Sequence, residues 1–155
     1  MTSLSPVSDL QFEQVKPVGG EATLRAWEHI HNLIITTAAL SADEIAQRAQ
    51  RHHLEVAFVD GTAVGCSTVR PPASDTATAT VIARVLPEHR RQGFGEQIYQ
   101  RALAKARELG AQTIETVVLA TNDDGLRFAC RHGFVEIDRY VLPGDTIAFV
   151  DLRLA

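Results

Sequence analysis

The segment Arg90-Arg91-Gln92-Gly93-Phe94-Gly95-Glu96 holds the residue types in this chain best suited to chemistry. Two glycines bracket a single residue at the point where an apolar run gives way to helical spacing. Glycine lets backbone approach an anion closely, the first N–H groups of a helix lack internal acceptors, and the helix dipole puts partial positive charge there. Arg90 and Arg91 add formal charge. The spacing suits a phosphate cradle; a tight turn flanked by two surface arginines is the other use of the same residues. Two familiar phosphate loops fail on particular positions. A nucleotide P-loop needs Lys-Ser or Lys-Thr where Glu96-Gln97 stands, and a dinucleotide fingerprint needs a small residue in place of Ile98.

The other reactive residues form no such constellation. Cys66 and Cys130 lack Cys-x-x-Cys spacing, so they read as reduced thiols. His29 and His31 face different sides of a helix, and His52-His53 has no accompanying ligand set, so no metal is expected. Asp60 falls in a turn, and Glu115 lies early in a strand, away from the glycine loop. Trp27, Thr36 and Thr37 could border a pocket between the first two helices, but Trp27 lies on an apolar stripe and is assigned to the core.

The elements that must position the loop follow from periodicity and punctuation. Phe12 to Val18 reads as a first strand, and Leu24, Trp27, Ile30/His31 and Ile34 mark a first helix. Ser41 with Glu44 forms a capping box that opens a second helix. Val56 to Val59 and Thr62 to Val69 are strands joined at Asp60-Gly61, a hairpin turn. Thr76 to Leu86 is a further strand, stopped by Pro87. A helix from Gly95 to Leu109 ends at Gly110, and Thr113 to Ala120 is again a strand. Asn122-Asp123 caps a short helix that ends at Gly133, before closing strands Phe134 to Val141 and Ile147 to Leu152. The order β-α-α-β-β-β-α-β-α-β-β predicts a mixed α/β (α+β) domain, a central sheet flanked by helices.

A chain of 155 residues suits one domain, 1–155, with 1–9 a flexible N-terminus. With 45% hydrophobic and 22% charged residues, intrinsic disorder is excluded. Lys and Arg total 15 against 19 Asp and Glu, and the net charge of -4 argues against a nucleic-acid partner. The apolar runs are far shorter than the ~20 residues that span a bilayer, and the first residues lack the features of a secretory signal, so a cytoplasmic protein is expected.

Arg90 to Gly95 matches the R-x-x-G-x-G/A motif of the GNAT N-acetyltransferase superfamily, preceded by Val85-Leu86-Pro87 in place of V-x-P. A second block, Asn122, Gly125, Phe128, Arg131, Gly133 and Phe134, resembles that family's N-x-x-A-x-x-L-Y-x-K-x-G-F pattern. The resemblance covers nearly the whole chain. It implies a mostly antiparallel GNAT-like sheet, acetyl-CoA as donor, an amine on a small molecule or peptide as acceptor, and a homodimer. Backbone near Val85 and Leu86 would hold the pantetheine and thioester. The pyrophosphate would lie on Arg91, Gln92, Gly93, Phe94, Gly95 and Glu96, with Arg90 adding charge and Asn122 and Phe128 beside the pantetheine.

Two departures bear on catalysis. Ala129 stands where many family members have a tyrosine that protonates the leaving thiolate, and His132 is the weak nearby candidate for that acid. The strand before the loop has no carboxylate to serve as base, although holding a lysine-like amine neutral at pH 7 costs about 4.6 kcal/mol. Proximity can contribute ~7–11 kcal/mol, so transfer without an evident acid or base is the expectation. A non-catalytic acyl-CoA-binding module is the rival expectation.

Overall fold

The computed structural model describes residues 9–73 and 75–155. The flexible N-terminus expected over 1–9 falls outside them except for Asp9. Seven strands form one sheet in the order β1-β2-β3-β4-β5-β7-β6. These are β1 (Gln11–Gln14), β2 (His53–Val59), β3 (Thr62–Arg70), β4 (Thr78–Val85), β5 (Thr113–Leu119), β6 (Phe134–Tyr140) and β7 (Phe149–Leu154). Every pairing is antiparallel except β4 with β5. The helices are α1 (Glu21–Ile34), α2 (Ala42–Ala49), α3 (Phe94–Glu108) and α4 (Asp123–Arg131), and a 3-10 turn at Pro87–His89 precedes α3. The predicted element order is the observed one. Among the described residues no helix is long and apolar enough to cross a membrane.

Local chemistry explains most boundaries. The β2–β3 hairpin turns at Asp60 (φ 49) and Gly61 (φ 81), two left-handed residues that match the twist of the flanking strands. At α2 the capping box closes as expected, with Ser41 N donating to Glu44 Oε1 at 2.9 Å and Glu44 N to Ser41 Oγ at 3.2 Å. β1 ends at Gln14 instead of Val18, because Val15 makes the last bond to Leu54 and Pro17 has no N–H to offer. β7 runs to Leu154, two residues past the expected end, because it pairs with Phe134 at the start of β6.

Two helical layers sandwich the sheet. On one face α1 and α2 bury Trp27, Ile30 and Ile45 against Leu54, Val56, Cys66 and Leu86. On the other, α3 and α4 bury Tyr99, Ala102, Leu103, Ala106 and Ala129 against Val69, Val81, Ile114, Phe134 and Val150. Gly65 lets α3 pack this closely, since a Cβ there would collide with the Arg84 carbonyl oxygen and sit 2.7 Å from Ile98.

β2 starts earlier than its apolar run suggests because Glu55 is an inward carboxylate with partners. Arg101 donates to it from Nε at 2.7 Å and from Nη2 at 3.0 Å, and His53 Nε2 lies at 3.0 Å. Burial alone would raise its pKa, but the hydrogen bonds from His53 and Arg101 overcome this and bring it down to about 2. A depressed carboxylate contributes stability above its unfolded pKa and loses it as the pH falls toward the folded value. Allowing for half-exposed Arg101, the contribution is about 2–3 kcal/mol. Glu55→Gln should therefore lower the melting temperature by roughly 5–10 °C at pH 7, and thermal scans should show the gap closing as the pH approaches 3. A gap of the same size at both pH values would contradict the assignment.

Candidate functional site

β4 and β5 pair only from Thr78↔Thr113 to Thr80↔Glu115. Beyond that point Val81 to Val85 stay with β3, while Thr116 to Leu119 stay with β7. The strands part, and a cleft of about 640 Å³ opens between them. Strand alternation divides its walls between the two faces. Val81, Ala83 and Val118 look toward α3 and α4, whereas Arg84, which pairs with Cys66, looks toward α1 and α2 with Ile82.

The glycine loop closes one end. Gly93 (φ 82) is the N-cap residue of α3 and Arg91 (φ 65) is also left-handed. α2 and α4 are capped by Ser41 and Asn122, but α3 has no side-chain cap. Its first intrahelical bond runs from Gln97 N to Gly93 O at 3.3 Å, so the N–H groups of Phe94, Gly95 and Glu96 have no intrahelical acceptor. Gly95 has ordinary helical backbone, and a Cβ there would lie 3.5 Å from both Val85 and Phe128. Gly95 is thus the bare floor between the two walls. Arg90, Arg91, Arg127 and Arg131 stand among the cleft residues, which makes this region basic in a chain of net charge -4.

Arg90 has a second duty. Its Nε donates to Val85 O at 3.0 Å and its Nη1 to Asp124 at 3.1 Å, so it straps the end of β4 to the start of α4. Asn122 accepts from Gly125 N at 3.0 Å and so orients α4, whose Phe128 faces the cleft. Tyr99 lines the cleft as well, edge-on to Phe128 at 5.8 Å, and burial pushes its phenol upward.

Of the predicted site residues, Val85, Arg90, Arg91, Gly93, Gly95, Glu96, Asn122, Phe128 and Ala129 line the cleft. Leu86, Gln92, Phe94 and His132 do not. Leu86 packs with Trp27, and Phe94 with Ala57, Val64 and Ile98, while Gln92 is exposed. His132 has both ring nitrogens engaged, Nδ1 with Phe128 O at 2.8 Å and Nε2 with Glu96 at 2.6 Å, which ties α4 to α3. Among the described residues no group of three or more His, Cys, Asp or Glu could hold a metal.

Sequence reasoning missed Arg84, Tyr99 and the end of α1. Ile34 and Ile35 line the cleft from the α1–α2 connection, which Asn32 fixes through two bonds to Leu40. Trp27 is core as expected, yet its ring also lies under the Arg84 guanidinium at 5.5 Å and stacks on His31 at 5.0 Å. A lone arginine inside the strand TATVIARV was the available signal for Arg84.

The sequence profile of the acetyltransferase (GNAT) family matches residues 20–134. An amino-acid acetyltransferase from Pseudomonas putida is 29% identical over 122 residues, and one from Azotobacter vinelandii 28% identical. Each match spans 74% of this chain and 27% of the relative, so the chain corresponds to about a quarter of those proteins. A candidate acetyltransferase from Salmonella typhimurium, solved with its cofactor acetyl-CoA, superposes with a TM-score of 0.72 at 17% identity, over 94% of this chain and 92% of that one. A ribosomal-protein-alanine N-acetyltransferase from Brucella melitensis gives 0.72 at 16% identity, over 92% and 98%. These likenesses show a shared fold.

Proposed function

The chain belongs to the acetyltransferase (GNAT) family, and from that premise we propose that it moves an acetyl group from acetyl-CoA to a primary amine by direct attack in a ternary complex. The observation that carries this reading is the parting of β4 from β5 above an uncapped helix start floored by Gly95. An elongated donor with a phosphorylated end and a narrow arm fits those features. Its pyrophosphate would take the free N–H groups at the start of α3 and the charge of Arg91 and Arg131. Its arm would run past Gly95 between Val85 and Phe128, and Asn122 supports that wall through its cap on α4.

The thioester would then lie by the unpaired edge of β4, where an N–H near Val85 stabilises the oxyanion of the tetrahedral intermediate. The C–N bond forms, the C–S bond breaks, and the amine proton leaves to solvent. Ala129 offers no proton, and burial, which pushes the Tyr99 phenol up, keeps it protonated at neutral pH and so unavailable as a base. Solvent can also protonate a thiolate whose thiol titrates at about 8.5.

Calorimetry with acetyl-CoA, followed by CoA-release assays over polyamines, aminoglycosides, amino acids and peptide N-termini, tests the proposal. Donor binding with amine-dependent CoA release is expected. Donor binding without turnover on any amine would instead favour the non-catalytic acyl-CoA-binding module.

A further inference from the structure

We infer that the acceptor is a primary amine bearing a nearby carboxylate, of the α-amino-acid type, and that Arg84 receives this carboxylate with Arg70 and Arg48 behind it. The inference rests on the acetyltransferase reading of the cleft and specifies what enters its other face.

Arg84 is buried at 9% exposure inside the sheet, yet no carboxylate among the described residues pairs with it. Its Nη1 donates to Thr68 Oγ1 at 3.2 Å and touches Cys66 Sγ at 3.9 Å. The Trp27 ring lies under the guanidinium, 5.5 Å from ring centroid to guanidinium carbon. Its Nε is buried with no acceptor among the described residues. Arg70 lies on the same face of the adjacent strand, and its Nε is likewise buried without an acceptor. Arg48 comes from α2 and makes no ion pair among the described residues. The three cations repel one another, since Arg48 disfavours the charge on both Arg70 and Arg84, and Arg84 that on Arg70.

The groups around them do not compensate. His31 and His52 are both brought down to about 4, by burial first and then by neighbouring arginines, and so are neutral at pH 7. Asp151 is the acid within range of Arg70, but it accepts from the Tyr140 hydroxyl at 3.1 Å. Burial, Asp138 and Glu115 all raise its pKa. Glu115 itself is held by Arg153 at 2.6 Å. Three arginines therefore share a partly buried site with one carboxylate that is already engaged. Buried cations are costly unless paired, so the arrangement calls for an anion from outside the chain.

Position narrows its chemistry. Arg84 lines the cleft beside Ile34 and Ile35, one residue from Val85, where the thioester is placed. A ligand whose anion meets Arg84 and whose amine meets the thioester must carry the two groups only a few bonds apart. A guanidinium edge matches a planar carboxylate.

The test compares CoA release from the wild-type protein with free amino acids, their carboxamides, their decarboxylated amines and dipeptides with the same first residue. With kcat/KM taken per neutral amine, the best amino acid should exceed its carboxamide, its decarboxylated amine and the dipeptide roughly 10- to 100-fold, the range expected when a charge-assisted hydrogen-bonded pair is lost. Arg84→Lys should erase most of that preference. Arg70→Gln, at a less buried position, should reduce it if Arg84→Lys fails to fold. Equal kcat/KM for amino acids and carboxamides, each taken per neutral amine, would overturn the inference and leave the acetyltransferase reading intact. If no amine is turned over, the same ligands titrated into CoA-loaded protein decide the matter. Preference for the carboxylate form supports the inference, and equal or absent binding overturns it. Failure to bind CoA at all would instead remove the functional reading.

Discussion

Gly95→Leu is expected to abolish acetyl-CoA binding while leaving the fold intact. Gly95 lies in the first turn of α3 with ordinary helical backbone, and a Cβ there makes only van der Waals contacts at 3.5 Å with Val85 and Phe128. No left-handed strain attends the change, and leucine favours the helix over glycine by up to ~1 kcal/mol. The rest of the leucine side chain must then occupy the floor of the cleft. Calorimetry should show the dissociation constant for acetyl-CoA rising at least ~100-fold, about 2.7 kcal/mol of binding free energy. Thermal unfolding should stay within a few degrees of wild type. Gly93→Val would mix two effects, because Gly93 has φ 82 and a β-branched residue there is strained even though its Cβ meets open space. Near-native affinity in Gly95→Leu would mean that the donor does not pass between Val85 and Phe128.

What could be read from the sequence was local in the chain. The loop from Arg90 to Glu96 is contiguous, its glycines sit at a helix start, and the capping residues Ser41 and Asn122 act on groups within three positions of themselves. The parting of β4 from β5 is a property of two ladders that share no sequence neighbourhood, so no spacing announces it. Side-chain direction is likewise hidden in the sequence. Leu86 and Phe94 flank the loop and turn their side chains into the core, leaving only their backbone for a ligand, whereas Arg84, in a strand rich in Thr, Val and Ala, lines the cleft. Arg90 looked like a phosphate ligand because its bond to Asp124, 34 residues away, is invisible in the chain order. His132 looked available for the same reason, since its partner Glu96 belongs to the preceding helix.

Neither carboxylate on the cleft, Glu96 or Asp124, is suited to accept a proton near neutrality, and this leads to the second large effect. kcat/KM should rise about tenfold per pH unit from pH 6 until the free acceptor amine is deprotonated, a change of roughly 100-fold over two units. The sign follows from the attacking species, because an ammonium has no lone pair and its neutral fraction grows tenfold per unit below its pKa. The acids on the cleft are poor proton acceptors. Hydrogen bonds from Gln100 and His132 hold Glu96 below the ordinary carboxylate range, and Arg127 and Arg90 do the same for Asp124. His31, at about 4, is too weak a base to matter at pH 7. Two acceptors whose amines differ by about two units in pKa should therefore give profiles whose midpoints differ by about the same amount. If both profiles break at one pH near neutrality, a protein group must be taking the proton. His89 would then be the first residue to replace, because it is the histidine among the cleft residues.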